Sequence, residues 1–375
     1  MYSFVDNFFN KNQIKYSKIS TEILEILSSK PVKNDVSDDL FNLFEQKFSW
    51  LLDTTFSAQV VVWYAEVITE EIVTLLHNYF RNKCCNIENV VLMTSSSGIA
   101  TYYKEYCSLH RSVGMQIVEI PMVDIISDYD LDNLKVKKIN KNLTRFFSFY
   151  GGTYEVAPPT RTFLSLFVSQ YKEFSSIEIM CKCETQQKLN DWLEYETFFT
   201  NSNFVEKYSN LHKTYINKDL NLSPDLKIKI NKDQIFNEQY GTGDYQEIID
   251  SQCLLTLVRE TVNFQPFAYI SEKTFRCFYN HTIPIPIDGK EIIKDLKDYG
   301  FWIDEDFFDY SYLQEDLFVN KIEKLDHSIR KITNLSYSEL STYYLNNIEN
   351  FENNQKLLVN WSSVIKQKLN ENFIK

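Results

Sequence analysis

LLTLVRETVNFQPFAYISEKTFRCFYNHTIPIPI, residues 254–287, is the stretch from which the rest of the chain is best read. The run Cys253–Val258 is apolar and β-rich, the pattern of a strand buried on both faces of a parallel sheet. The polar pair Glu260-Thr261 closes it, and a loop containing Pro266 follows. Ser271 has the chemistry of an N-cap, with Glu272 in the first turn of a short helix. That helix is predicted to give way at Asn280-His281, and a second strand to start at Ile283 in IPIPI. Strand, loop, helix and strand predict an α/β fold, in which ligands sit beyond the carboxyl ends of the strands.

The chemistry of the turn suits a nucleoside diphosphate. A helix N-terminus offers N–H groups and partial positive charge to an anion. Lys273 adds a full charge for a phosphate, and Glu272 can accept two hydrogen bonds from the vicinal diol of a ribose. An ordinary solvated first turn carries the same residues, so the local pattern leaves both readings open.

Residues 269–275 (YISEKTF), with Arg259-Glu260-Thr261 before them and Ile283-Pro284-Ile285 after, resemble the donor-binding segment of α1,3-fucosyltransferase-like enzymes. They are closer still to glycosyltransferase-like proteins common in bacteriophages. Those carry ET, then TEKTF, then a proline with a hydrophobic neighbour, LK-x-x-GF and an acidic-aromatic run. Here Leu296-Lys297-Asp298-Tyr299-Gly300-Phe301 precedes Asp304-Glu305-Asp306-Phe307-Phe308-Asp309-Tyr310. The resemblance spans roughly residues 143–315. It implies that Glu272 and Lys273 contact the ribose and diphosphate of a nucleotide-sugar donor, with Ser271, Thr274 and Glu260 in the same motif. It also implies a P-x-x-R helix start, matched by Pro158 and Arg161. An Arg there could bind the diphosphate in bidentate fashion or be an exposed first-turn charge. Gly151-Gly152 stands where the family more often has Asn-Arg, a departure that bears on the loop residues rather than on Arg161.

The N-terminal part repeats the α/β theme. Residues 1–55 read as helical and irregular, with an amphipathic helix over 39–52. Strands are predicted at 59–64, 88–93 and 116–120, and helices at 69–80 and 102–109, with Thr94-Ser95-Ser96-Ser97-Gly98 a hydroxyl-rich turn at a helix start. Residues 128–142, acidic and then basic, read as a linker whose lysines are either solvated or touch an anionic acceptor. Beyond it, strands are expected at 144–150 and 177–183, a helix from 160 and another over 184–200. Residues 201–240 read as irregular, and two long helical patterns cover 313–332 and 337–373.

The predicted architecture is therefore two Rossmann-like domains facing across a cleft, the GT-B arrangement, with a helical N-terminal extension and C-terminal helices. The expected boundaries are 1–142 for the acceptor side, 143–345 for the nucleotide-sugar side, and 346–375 for a helix packing back on the first domain.

Composition narrows the functional classes. At 375 residues and 44% hydrophobic content the chain can build substantial cores. With 8 glycines it has no glycine-rich phosphate loop. A net charge of −12 disfavours a surface that grips nucleic acid throughout. The 7 cysteines and 5 histidines show no zinc spacing, and Met1–Tyr16 lacks the apolar core of a secretory leader. The expected setting is cytoplasmic, that of the host cell if phage-encoded, with reduced cysteines and no membrane span.

The expected activity is transfer of a sugar from a UDP- or GDP-sugar to an acceptor hydroxyl, with no tightly bound cofactor. Basic side chains and a helix N-terminus, rather than a metal, would neutralise the diphosphate. D-x-D spacing occurs at Asp128, Asp130 and Asp132 and at Asp304 and Asp306, off the strands of the donor half. Glu66, at the tip of a first-half strand, is the candidate general base, with Asp53 and Asp124 as rivals. Candidate acceptors are hydroxymethylated pyrimidines in phage DNA, surface glycans or proteins. A nucleotide- or partner-binding module without catalysis is the alternative from another class.

Overall fold

The computed structural model describes residues 4–19, 37–48, 59–63, 68, 70–83, 86–120, 135–136, 138–150, 159–171, 175–178, 202–215, 251–258, 268–287 and 289–374. These form a mixed α/β protein with two four-stranded parallel sheets. In chain order the first half holds α1 (Phe4–Lys11), β1 (Tyr16–Ile19), α2 (Ser37–Phe48), β2 (Gln59–Trp63), α3 (Glu70–Lys83), β3 (Val90–Thr94), the short β4 (Ser96–Ser97), α4 (Ile99–Leu109) and β5 (Gln116–Glu119). The second half holds β6 (Phe147–Tyr150), α5 (Pro159–Ser169), β7 (Ser175–Glu178), α6 (Ser202–Tyr215), β8 (Leu255–Val258), β9 (Ala268–Tyr269), α7 (Glu272–Tyr279), β10 (Ile283–Pro286) and α8 (Ile292–Asp298). Four helices close the chain: α9 (Phe318–Thr333), α10 (Tyr337–Asn346), α11 (Ile348–Val359) and α12 (Trp361–Phe373).

The first sheet has the order β1-β2-β3-β5, so the chain winds one way only. Right-handed crossovers moving in one direction put their helices on one face. Alternation along the strands fits this. Val61, Val90 and Leu92 point into a core with Phe44, Phe48, Leu76, Phe80 and Tyr103 from α2, α3 and α4. Val60, Val91 and Met93 point the other way, to a face with no crossover helix of its own. A parallel sheet needs both faces covered. Helix α1 supplies cover through Val5, Phe8 and Phe9, and the Phe9 ring meets Tyr16 at 5.0 Å and Phe373 of α12 at 5.3 Å.

The second sheet has the order β10-β8-β6-β7. The chain goes from β6 out to β7, returns to lay β8 on the other side of β6, and continues to β10. Its winding therefore reverses between β6 and β8. β10 is an edge, and its IPIP sequence suits one. Ile283 and Ile287 N–H groups donate to Leu254 and Val258 carbonyls on the β8 side, at 2.8 and 3.1 Å. Pro284 and Pro286 carry no N–H on the outer side, where a free edge invites unwanted pairing. Their carbonyls accept the hydroxyls of Tyr310 and Tyr312, at 2.9 and 2.5 Å. The acidic-aromatic run after Gly300 thus seals a sheet edge.

Several expectations are corrected. β1 lies in a region read as helical and irregular, and is the edge strand of the first sheet. Residues 202–215, read as irregular, are helix α6, whose Phe204 and Tyr208 pack on Phe163 of α5. The pattern over 337–373 is three helices, broken at Asn347 and Asn360. The expected helix over 184–200 lies outside the described residues. So do Thr21–Leu27, read as helical, and Asp128, Asp130 and Asp132.

Phe9 is wholly buried where α1, β1 and α12 meet. Phe9→Ala should cost about 3–5 kcal/mol in denaturant unfolding, the usual range for deleting a buried ring. A loss below about 1 kcal/mol would mean that the uncovered face of the first sheet does not depend on this packing.

Candidate functional site

β6 and β8 lie side by side in register, Phe147 opposite Leu255 and Phe149 opposite Leu257, so their carboxyl ends are level. In open parallel sheets the point where winding reverses leaves a crevice beyond those ends, because successive crossovers depart to opposite faces. The helix after β6 is α5, and Arg161 is its third residue. The helix after β8 is α7, which begins at Glu272 and Lys273. The two predicted cationic helix starts thus belong to the helices that follow two adjacent strands whose carboxyl ends are level. The side chains of Arg161 and Glu272 lie outside the described residues. Glu260, on the loop after β8, and Glu66, after β2, lie outside them too, as do Asp53 and Asp124.

The cap of α7 is as its sequence predicts. Ser271 is extended (φ −98°, ψ 179°), and its hydroxyl accepts the Lys273 N–H at 3.1 Å. Its role is therefore to hold the helix N-terminus. Thr274 is fully enclosed and packs in the interior in this conformation. Lys273 is half-buried. At the other end of α7, Asn280 and His281 turn the chain into β10. His281 has φ +55°, and its Nδ1 lies 3.0 Å from the Tyr344 hydroxyl.

A two-stranded antiparallel ribbon joins the halves beside this helix. Ser96 pairs with Tyr269 and Ser97 with Ala268. The expected turn at 94–98 is thus partly a strand. Ser97 donates its hydroxyl to the carboxylate of Asp295 on α8, 198 positions along the chain. Gly98 then starts α4 with φ +86°, a left-handed conformation that favours glycine. The N-terminus of α4 already has a carboxyl partner, because Glu119 Oε1 accepts the Ala100 N–H at 2.7 Å. Burial pushes the Glu119 carboxyl above its ordinary value. The amides of Ala100, Gly98 and Ile99 oppose that shift, and Asp295 adds to it. The start of α4 is thus met by a carboxyl from β5, and the start of α7 is capped by the Ser271 hydroxyl.

The sequence gives no local signal for Ser97, Glu119 and Asp295 as a group, since chain separation hides the contact. The basic segment before β6 also departs from expectation. Lys141 Nζ donates to the Cys253 carbonyl at 2.9 Å, Ile139 is buried, and Tyr279 OH donates to the Lys135 carbonyl at 3.1 Å. That stretch touches the second half through Ile139, Lys141 and the Lys135 carbonyl, while the side chains of Lys135, Val136, Lys138 and Asn140 are exposed. Asp304, half of a D-x-D pair, serves its own turn. Its Oδ1 accepts the Asp306 and Phe307 N–H groups at 3.1 and 3.0 Å, and its Oδ2 accepts the Tyr343 hydroxyl at 2.8 Å. A cleft of about 630 Å³ between α8 and the 305–314 segment is charge-compensated. Its Lys290, Lys294 and Lys297 pair with Asp316, Glu291 and Glu305.

No family model, curated protein or solved structure matches the chain. Among the described residues, no group of three or more His, Cys, Asp or Glu side chains is arranged to hold a metal ion, and no helix is long and apolar enough to cross a membrane. Cys107, Cys253 and Cys277 are not in disulfides.

Burial, with the Lys141 ammonium nearby, pushes the His281 imidazole down to about 4 from its ordinary 6.5. Between those values the unfolded chain binds the proton and the native one does not, so stability falls as pH drops through this window. NMR titration should find His281 neutral down to about pH 4, and His281→Gln should flatten this part of the acid limb. A titration near 6.5 would show that the imidazole is solvated.

Proposed function

We propose that the chain is a glycosyltransferase of GT-B type, with a first Rossmann-like domain for the acceptor and a second for a nucleotide-diphosphate sugar. The observation that carries this reading is that α5 and α7 both start at the level carboxyl ends of β6 and β8, where the winding reverses. One start bears Arg161 and the other Glu272 and Lys273. The residues around Tyr269–Phe275 resemble the donor segment of fucosyltransferase-like and phage glycosyltransferase-like proteins, which suits the same position.

In this reading the donor diphosphate lies across the crevice. N–H groups at the start of α7 and the ammonium of Lys273 take the charge that builds on the leaving group as the glycosidic bond breaks. Arg161 meets the diphosphate from α5, and Glu272 orients the ribose. Ser271 keeps the helix start in place, and Glu260 belongs to the same donor motif. Glu66 takes the proton of the acceptor hydroxyl as it attacks. No metal is needed for the charge balance. The acceptor is a hydroxymethylated pyrimidine in phage DNA, or the hydroxyl of a surface glycan or protein. The setting is the cytoplasm, that of the host if the protein is phage-encoded.

Thermal unfolding with UDP, GDP and their sugars tests the pocket. A ligand at a hundredfold excess over its Kd stabilises by about 2.7 kcal/mol, enough to raise the melting temperature by several degrees. Lys273→Ala should remove that rise and lower slow donor hydrolysis by roughly 100-fold or more. Ligand stabilisation with no sugar release would favour a nucleotide-binding module without catalysis. No stabilisation by any nucleotide would overturn the donor site itself.

A further inference from the structure

We propose that the seam joining the two sheets is a proton-dependent latch, in which Asp295 and Glu119 hold the β4–β9 ribbon closed when at least one of them is protonated and loosen it when both are charged. This does not rest on the glycosyl-transfer reading.

The seam is small. The ribbon contributes two residue pairs, and Ser97 joins it to Asp295 by a side-chain hydrogen bond between the halves. Glu119 approaches from β5 and holds the start of α4 directly behind Ser97. Two carboxyl groups from opposite halves thus face one partly buried boundary, where like charges repel and water is scarce.

Their neighbours do not cancel that repulsion. Asp295 faces Glu291, Lys294 and Asp298 on its own stretch of chain, and Ser97 from the first half. Both carboxyls act on Tyr299. Lys368 of α12 lies over the Tyr299 ring, 4.7 Å from its centre. Glu119 has the Gly98, Ile99 and Ala100 amides and the charge of Asp295. Burial is the largest influence on each carboxyl and raises both above their ordinary values.

The sign follows from linkage. Opening the seam returns both carboxyls to water and to ordinary values. The closed seam therefore holds more protons in the interval from the ordinary carboxylate range up to the raised values. Closure is fully favoured below that interval and is lost as pH rises through it.

Hydrogen exchange read by mass spectrometry tests this on the whole chain. Peptides covering Ser96–Gly98 and Ala268–Ile270 are followed from about pH 5 to about pH 8, with intrinsic exchange rates divided out. Ribbon protection should fall as pH rises over that range. Helix α9 should keep its protection. Asp295→Asn and Glu119→Gln should each hold the ribbon protected at the upper pH. A flat wild-type curve overturns the latch and needs no variant to fold. So does parallel loss of protection in α9, or variants that follow the wild-type curve.

Discussion

The handedness of parallel crossovers is the constraint from which the rest of this structure follows. A right-handed crossover fixes which face its helix covers once the direction of winding is set. In the first sheet the winding never reverses among the described strands, so α2, α3 and α4 share one face. The other face must borrow its cover, and aromatic packing joins the chain's two ends there, Phe9 against Phe373. In the second sheet the winding reverses between β6 and β8. The helices that follow those two strands begin with the most suggestive residues of the chain, Arg161 in one and Glu272 and Lys273 in the other.

The two halves are not independent in their packing. A single apolar cluster runs from Val60 and Met93 of the first sheet through Leu255 and Ile283 of the second to Trp361 and Leu369 of the last helix. Among the described residues, the ribbon with its Ser97–Asp295 bond is a polar contact between the halves that ionisation can alter. Charge at this boundary has a cost that charge on the lysine-rich cleft near α8 does not. There each Lys has an exposed acid beside it, and solvent screens the pairs. The same acidic residue types therefore act differently in the two places.

Legibility in the sequence tracked how local the cause was. Much of the stretch 254–287 was readable because its parts have short-range reasons: an apolar β-rich run, a serine in position to cap, a helix break at Asn280-His281 and an apolar run from Ile283. The left-handed His281 and the edge position of β10 were seen only in the structure. β1 was not readable, because YSKI is a four-residue edge strand with no continuous apolar run. Helix α6 carried Phe204, Tyr208 and Leu211 at helical spacing inside a polar segment, a signal present but outweighed by composition. The breaks at Asn347 and Asn360 use neither proline nor glycine, so periodicity ran through them. Lys141, in a basic stretch read as either solvated or touching an anionic acceptor, donates to the Cys253 carbonyl just before β8, a contact set by tertiary structure. For the candidate site, the helix start and its cap were legible. The meeting of Ser97, Glu119 and Asp295 was not, since it depends on how the sheets face one another.

The central proposal is that a nucleoside diphosphate binds beyond the carboxyl ends of β6 and β8, against the start of α7. Photo-crosslinking with an azido-substituted nucleoside diphosphate, followed by peptide mapping, tests it most directly. The account predicts label on peptides containing Glu272–Arg276 or the start of α5, and its suppression by unmodified nucleotide. Competable label confined to the first half, or to the α8–α9 surface, would contradict it.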